Sequence, residues 1–233
     1  MLSLDQIQQH YSENIKPFLG GTALRIIYNN SRFSEDLDFD NFGLSEKDFS
    51  RLSREIKKGL TRQGYKIEIK NVFKGAYRCY VRMPKVLFNN KISDLQKEKI
   101  MIQIDSASHD FKYRADKKIL NKFDIFTQIL VTPVDIILAQ KIYAIFNRKR
   151  PKGRDFFDVV FLLQNTRPNY RYLNQKLKIA DAKTLKKRLL RYSEKIKFNA
   201  LIKDVEPFLF NAGEINRIKF FKQYIEEIEL DAL

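Results

Sequence analysis

The chain has 233 residues, with 44 Lys and Arg against 28 Asp and Glu, for a formal net charge of +16. Its 19 Phe and 11 Tyr exclude a disordered chain, and the length supports one large or two small cored domains. The single cysteine, Cys79, excludes an internal disulfide and points to a reducing compartment, and no apolar run approaches the roughly 20 residues that span a bilayer. The opening MLSLDQIQQH lacks a basic-plus-apolar leader, so the expected location is the cytoplasm, in soluble form.

In chain order, Ser3 can cap a first helix with Leu4, Ile7, Tyr11 and Ile15 on one stripe, ended by Pro17. Phe18 and Leu19 lead into Gly20-Gly21, and 22–30 reads as a short helix with Leu24, Ile27 and Tyr28 inward. Leu37 and Phe39 alternate with Asp36, Asp38 and Asp40, which is the period of a strand. Ser45 opens a helix with Asp48 three positions on, an apolar stripe of Phe49, Leu52, Ile56 and Leu60, and Gly64 as its stop. Two strand-like runs, 65–73 and 76–88, flank a Lys74-Gly75 turn, and Cys79 falls in the second as a small buried residue. A third strand over 99–106 sets Ile100, Ile102 and Ile104 on one face and Met101, Gln103 and Asp105 on the other.

Beyond about 115–130 the texture turns helical. Thr132-Pro133-Val134-Asp135 has the cap, proline and acid of a helix start, and that helix should reach about Asn147. A basic turn over 148–153 precedes a helix from near Arg154 to Asn165, then helices near 171–178, 181–197 and 213–229. The expected fold class is α+β: a mixed sheet with flanking helices over 1–115, then a helical domain over 116–233.

The chemistry concentrates between Phe18 and Asp40. Asp36 and Asp38, two apart on a strand, project to one side as oxygen ligands suited to Mg²⁺ or Mn²⁺. Read alone they could also be an acidic pair at a strand edge. Asp40 is more simply a solvated acid. Gly20-Gly21 lets a backbone approach a triphosphate closely, Thr22 offers a hydroxyl, and Arg32 and Ser34 could contact phosphate oxygens. For Arg32 the plainer alternative is a surface pair with Glu35 or Asp36. Lys141 and Arg148 lie seven apart on one helical face, and Arg154 and Asp158 are spaced for an i,i+4 ion pair. His10 and His109 have no cysteine at metal-ligand spacing, so zinc is not expected. Neither a P-loop nor a G-x-G-x-x-G motif is present. Residues 141–197 carry 17 basic and 4 acidic residues, net +13, a field that gathers polyanions unless it is simply a solvated surface.

Gly20-Gly21-Thr22, a helix, and then Arg32, Ser34, Asp36 and Asp38 as R-x-S-x-D-x-D resemble the opening motif of DNA polymerase β-type nucleotidyltransferases, and more narrowly the AbiEii/AbiGii toxins of type IV toxin–antitoxin systems. Lys141, Arg148 and GRDFFD over 153–158 resemble that family's K…R…RDxxD segment. The resemblance implies a minimal nucleotidyltransferase core with a helical domain contributing to the nucleotide and acceptor cleft. It implies metal binding by Asp36, Asp38 and a third acid from a later strand, for which Asp105 is the candidate. It also implies nucleotide contacts from Gly20, Gly21, Thr22, Arg32, Ser34, Lys141 and Arg148, a catalytic cation at Lys141, and support for it from Arg154, Asp155 or Asp158. The implied activity is transfer of a nucleoside monophosphate from an NTP to an acceptor hydroxyl, on RNA such as the 3′ end of tRNA or on a protein, by a growth-inhibiting toxin with a cognate antitoxin. The alternatives are a catalytically inactive nucleic-acid-binding protein on the same fold, and a protein-modifying nucleotidyl- or phosphotransferase.

Overall fold

A computed structural model describes residues 15–108 and 110–231. His10, His109 and the helix expected from Ser3 lie outside them, except that Ile15 opens a strand. The chain divides into two units. Unit 1 takes its described residues from 15–28 and 34–132, and unit 2 comprises 29–33 and 133–231.

Unit 1 is a mixed seven-stranded sheet. Its strands are β1 (Ile15–Leu19), β2 (Leu37–Asn41), β3 (Glu68–Val72), β4 (Tyr77–Pro84), β5 (Lys99–Ser108), β6 (Asp116–Lys122) and β7 (Ile125–Val131), in the order β3-β4-β5-β2-β1-β7-β6. β2 runs parallel to β5 and β1 parallel to β7, and the other pairs are antiparallel. Pro17 sits inside the interior strand β1, where the register with β2 shifts between Ile15 and Phe18. A proline has no N–H for the ladder, so the irregularity falls where a donor is missing.

Two helices, α1 (Gly20–Tyr28) and α2 (Glu46–Arg62), pack against apolar side chains of the sheet. Phe49, Leu52 and Ile56 of α2 meet Cys79, Val81, Met83 and Ile104, while Ala23 of α1 joins Phe18, Leu120, Ile129 and Val131. Leu37 and Phe39 touch both clusters, so the two helices share one face of the sheet. The Ser45 cap forms as expected: its hydroxyl oxygen accepts from the Asp48 amide at 3.2 Å. The Lys74-Gly75 turn also forms, with Gly75 at φ +80°. A single turn, α3 (Val86–Asn89), follows β4. Burial pushes the Cys79 thiol up to about 12, which makes it an inert core group.

The division of the chain falls at Thr132/Pro133, just past the 115–130 shift in texture and later than a division at 115/116. Residues 116–131 form the β6–β7 hairpin, and β7 pairs with β1 through Phe18 and Val131. The two-residue turn between them is Phe123-Asp124, both at positive φ (56° and 59°). That backbone normally calls for Asn-Gly or Asp-Gly, so the usual hairpin signal is missing.

Unit 2 contains α4 (Val134–Asn147), α5 (Gly153–Leu163), α6 (Tyr170–Leu177), α7 (Ala182–Ser193), α8 (Phe198–Val205), α9 (Asn216–Lys219) and α10 (Phe221–Glu227), with 3₁₀ turns at Glu206–Phe208 and Ala212–Ile215. The expected 181–197 helix stops at Ser193, α8 is additional, and the expected 213–229 helix is broken into three short pieces. Thr132 does not cap α4: its hydroxyl donates to Asp40 at 3.3 Å instead. α5 is buried almost all round, and Phe156, Phe157 and Phe221 are fully enclosed, each stabilising the interior by about 1.5–3 kcal/mol. Gly153 is required where α5 begins, because a Cβ there would lie 2.1 Å from the Leu201 carbonyl oxygen. The segment 29–33 is tied into this unit by Phe33 N–H donating to Phe208 O at 2.6 Å and by the Arg32–Leu209 bridge.

Candidate active site

In unit 1 the sheet register assembles the acids. Asp38 on β2 lies directly beside Asp105 on β5, and Leu37 beside Ile104. Ile104 is buried under α2, so by alternation Asp38 and Asp105 stand on the opposite face of the sheet, with Asp36 two residues before Asp38. Burial pushes the Asp105 carboxyl above the usual carboxylate range. Donation from Gln103 and the nearby Arg78 oppose this, and the negative charge of Asp36 adds to it. Asp105 Oδ2 accepts from Gln103 at 3.0 Å, and Arg78 Nε is 3.7 Å from the same oxygen. Asp105 Oδ1 is buried without a hydrogen-bond partner among the described residues. Like charges at neighbouring positions repel, and among the described residues no three His, Cys, Asp or Glu side chains are drawn into a metal-holding group.

Gly20-Gly21 is not a free loop: the two glycines form the first turn of α1 and are buried. Gly20 has φ +76°, and a Cβ there would lie 2.1 Å from Asp38 Oδ2. This position needs glycine both for its backbone and for its close approach to a carboxylate. Gly20→Ala should therefore displace Asp38 and strain the turn by about 1–2 kcal/mol. The expected result is at least about a tenfold loss of turnover with unchanged far-UV circular dichroism, and wild-type turnover would disprove it. Thr22 donates its hydroxyl to the Asp36 carbonyl at 2.5 Å, which ties the start of α1 to the D-x-D segment. Ser34 is half-buried and makes no side-chain hydrogen bond among the described residues. Asp40 is not a solvated acid. It is buried and accepts from the Tyr113 and Thr132 hydroxyls.

Unit 2 holds a second constellation. Arg32, expected at phosphate or at the surface, is 2 % exposed, and its Nε and Nη2 donate to the two Asp158 oxygens at 2.6 Å each. Nη1 donates to Phe33 O at 2.8 Å, and Asn30 donates to Asp158 Oδ1 at 2.9 Å. Lys141 Nζ is 2.7 Å from Asp158 Oδ2 and 3.4 Å from Asp155 Oδ1, and Arg148 Nε is 2.7 Å from Asp155 Oδ2. Full burial would raise the Asp158 carboxyl, but the charges of Lys141 and Arg32 with their hydrogen bonds outweigh it and hold the group at about 2. Arg154 does not pair with Asp158 at i,i+4. Its guanidinium lies 4.4 Å over the Phe208 ring, because Asp158 faces the interior. Asn30 was not singled out from the sequence, and an asparagine in a short polar run carries no signal of such a partner.

The basic strip expected on α7 is narrower than its sequence. Lys183, Lys187 and Arg191 are exposed on one stripe, whereas Lys186 donates to Ile228 O and Arg188 to Leu177 O. No helix among the described residues is long and apolar enough to cross a membrane.

No curated protein matches the sequence. The fold is similar to the crystal structure of JHP933 from Helicobacter pylori, with 19% identity over 95% of this chain and 88% of that one, at a TM-score of 0.54. It is also similar to a second H. pylori structure, provisionally described as a nucleotidyltransferase, with 20% identity over 95% and 90% of the two chains and a TM-score of 0.56. At these identities the likeness concerns the fold alone. The sequence profile described as "Nucleotidyl transferase AbiEii toxin, Type IV TA system" matches residues 10–228. The D-x-D register on the sheet and the Lys141–Asp158 cluster thus sit in a chain that belongs to the AbiEii family of nucleotidyltransferase toxins of type IV toxin–antitoxin systems.

Proposed function

We propose that this toxin transfers a nucleoside monophosphate from an NTP to a hydroxyl of an RNA acceptor, such as the 3′ end of tRNA. The observation that carries this reading is the register of Asp38 beside Asp105 on the sheet face away from α2, with Asp36 two residues away. Asp36, Asp38 and Asp105 would hold Mg²⁺ or Mn²⁺. Three carboxylates are the right donors for such a hard cation, and the unpartnered Asp105 Oδ1 is an oxygen available to it. Bound there, the cation would neutralise triphosphate charge and favour the ionised acceptor hydroxyl. The start of α1 at Gly20-Gly21, with its backbone N–H groups, suits a polyphosphate. In the transfer, the acceptor oxygen bonds to the α-phosphorus as the bond to the departing pyrophosphate breaks.

Lys141 is the proposed cation for the developing phosphate charge. Asp155 and Asp158 hold its ammonium in place, and 15% of the side chain remains exposed. Lys141→Ala should lower turnover at least about tenfold. Lys141→Arg keeps the charge, and should retain the stability of unit 2 while recovering only part of the rate. Full turnover in Lys141→Ala would remove this residue from the mechanism. The decisive assay offers α-labelled and γ-labelled NTP in parallel with bulk tRNA and Mg²⁺. Label on RNA from the α position alone supports nucleotidyl transfer, and label from the γ position would make the enzyme a kinase.

A further inference from the structure

The sheet face that carries the carboxylates extends past them over β5, β4 and β3. In β4, Cys79, Val81 and Met83 are buried beneath α2, so Arg78, Tyr80 and Arg82 stand on the side of the carboxylates. The register carries that side across its neighbours. Arg78 lies opposite Asp105, Tyr80 opposite Gln103 and Lys70, and Arg82 opposite Met101 and Glu68. The strip begins at the acids, where Arg78 Nε is 3.7 Å from Asp105 Oδ2. Tyr80 and Arg82 follow about 7 Å and about 14 Å along β4, at about 3.4 Å per residue. Lys70 is exposed, Met101 is 53% exposed, and Tyr80 and Arg82 are half-buried. Glu68, the one acid on the strip apart from Asp105, is matched by Lys99 at 2.7 Å. Among the described residues the Lys70 and Tyr80 side chains enter no hydrogen bond or ion pair. Cations set around an aromatic ring and a thioether are the chemistry of a single-strand site: phosphates meet the charges and a base stacks on the ring.

We infer that this half of the sheet is the track for the single-stranded 3′ end of the acceptor, with Lys70 and Arg82 on phosphates and Tyr80 under a base. The inference rests on the RNA reading above and adds the residues that bind the strand. The strip runs about 14 Å along β4 from the residue beside Asp105, room for successive nucleotides of an extended strand. Assigned to the acceptor, its residues should leave NTP binding unchanged.

The test uses the full chain, a fluorescein-labelled single-stranded RNA oligonucleotide for binding, and bulk tRNA with α-labelled NTP for transfer. Lys70→Ala, Tyr80→Ala and Arg82→Ala should each weaken oligonucleotide binding and raise the KM for tRNA at least about fivefold, with the KM for NTP unchanged. Lys70→Ala and Arg82→Ala should each lower the slope of log affinity against log salt by about 0.7, while Tyr80→Ala leaves it unaltered. Tyr80→Phe should restore what Tyr80→Ala loses, which separates stacking from a general fault in β4. If the wild type labels tRNA and all three variants keep its Kd and KM, the track is wrong and the RNA reading stands. If the wild type neither binds nor labels RNA but labels protein, both fall together.

Discussion

Asp36→Asn and Asp38→Asn should each reduce nucleotidyl transfer by about a thousandfold or more while leaving thermal unfolding close to wild type. The amide keeps the size and shape of the side chain but removes the charge that the proposed divalent cation would need, and with it several kcal/mol of transition-state stabilisation. At 1.36 kcal/mol per factor of ten, about 4 kcal/mol is a thousandfold. The fold should tolerate the change because both side chains are only half-buried, and the strand is held instead by Leu37 and Phe39 in two apolar clusters. Asp105→Asn should follow the same pattern, with the Gln103 contact available to hold its oxygen in place. The measurement is α-label incorporation per enzyme alongside the melting temperature. Wild-type incorporation in either D-x-D variant would remove these carboxylates from the chemistry.

The second large effect is on stability. Asp158→Ala should destabilise unit 2 by about 3–5 kcal/mol, read as a shift of its urea transition, because it leaves the buried Arg32 guanidinium and the Lys141 ammonium without their shared anion. Arg32→Ala should cost less, since Asp158 keeps Lys141 at 2.7 Å and Asn30 at 2.9 Å. The double variant should cost less than the sum of the two singles, which is the signature of a direct pair. The pH dependence follows from the depressed group. With the Asp158 carboxyl at about 2 in the folded state and near 3.9 in the unfolded chain, its contribution is complete above about pH 4 and lost as the pH falls toward about 2. Asp158→Asn should remove that part of the acid sensitivity. An unfolding free energy for Asp158→Ala within about 1 kcal/mol of wild type would show that the network is not what holds residues 29–33 in unit 2.

This pairing gives the R-x-S-x-D-x-D block a double role. Its carboxylates belong to the sheet, whereas its arginine is a structural residue of the helical unit, four positions before the first acid. The chain leaves unit 1 at Asn29 and returns at Ser34. Arg32 anchors that excursion to α5, and Thr22 ties the returning segment to α1 through the Asp36 carbonyl.

Local patterns were enough to reveal most of the elements and the acids. The alternation through 36–40 and 99–106, the Ser45 cap, the Gly75 turn and the apolar stripe of α2 are properties of neighbours in sequence, set by strand and helix periods. They also set Asp36 and Asp38 on one side of their strand and Asp105 on the side of its own strand away from Ile100, Ile102 and Ile104; that the two strands adjoin came from the family resemblance. Only the tertiary structure decided matters between distant residues. The Phe123-Asp124 turn takes positive φ without glycine in a hairpin whose β7 pairs with the distant β1, so the hairpin and the division of the chain after it left no local mark. Asp40, whose spacing matches that of its two acidic neighbours, is buried by Tyr113 and Thr132, which lie 73 and 92 residues away. Arg32 resembles a surface cation until Asp158, 126 residues on, removes it from water. Periodicity specifies which way a side chain points from its own strand or helix. Which partner meets it there depends on chain crossings that no local pattern records.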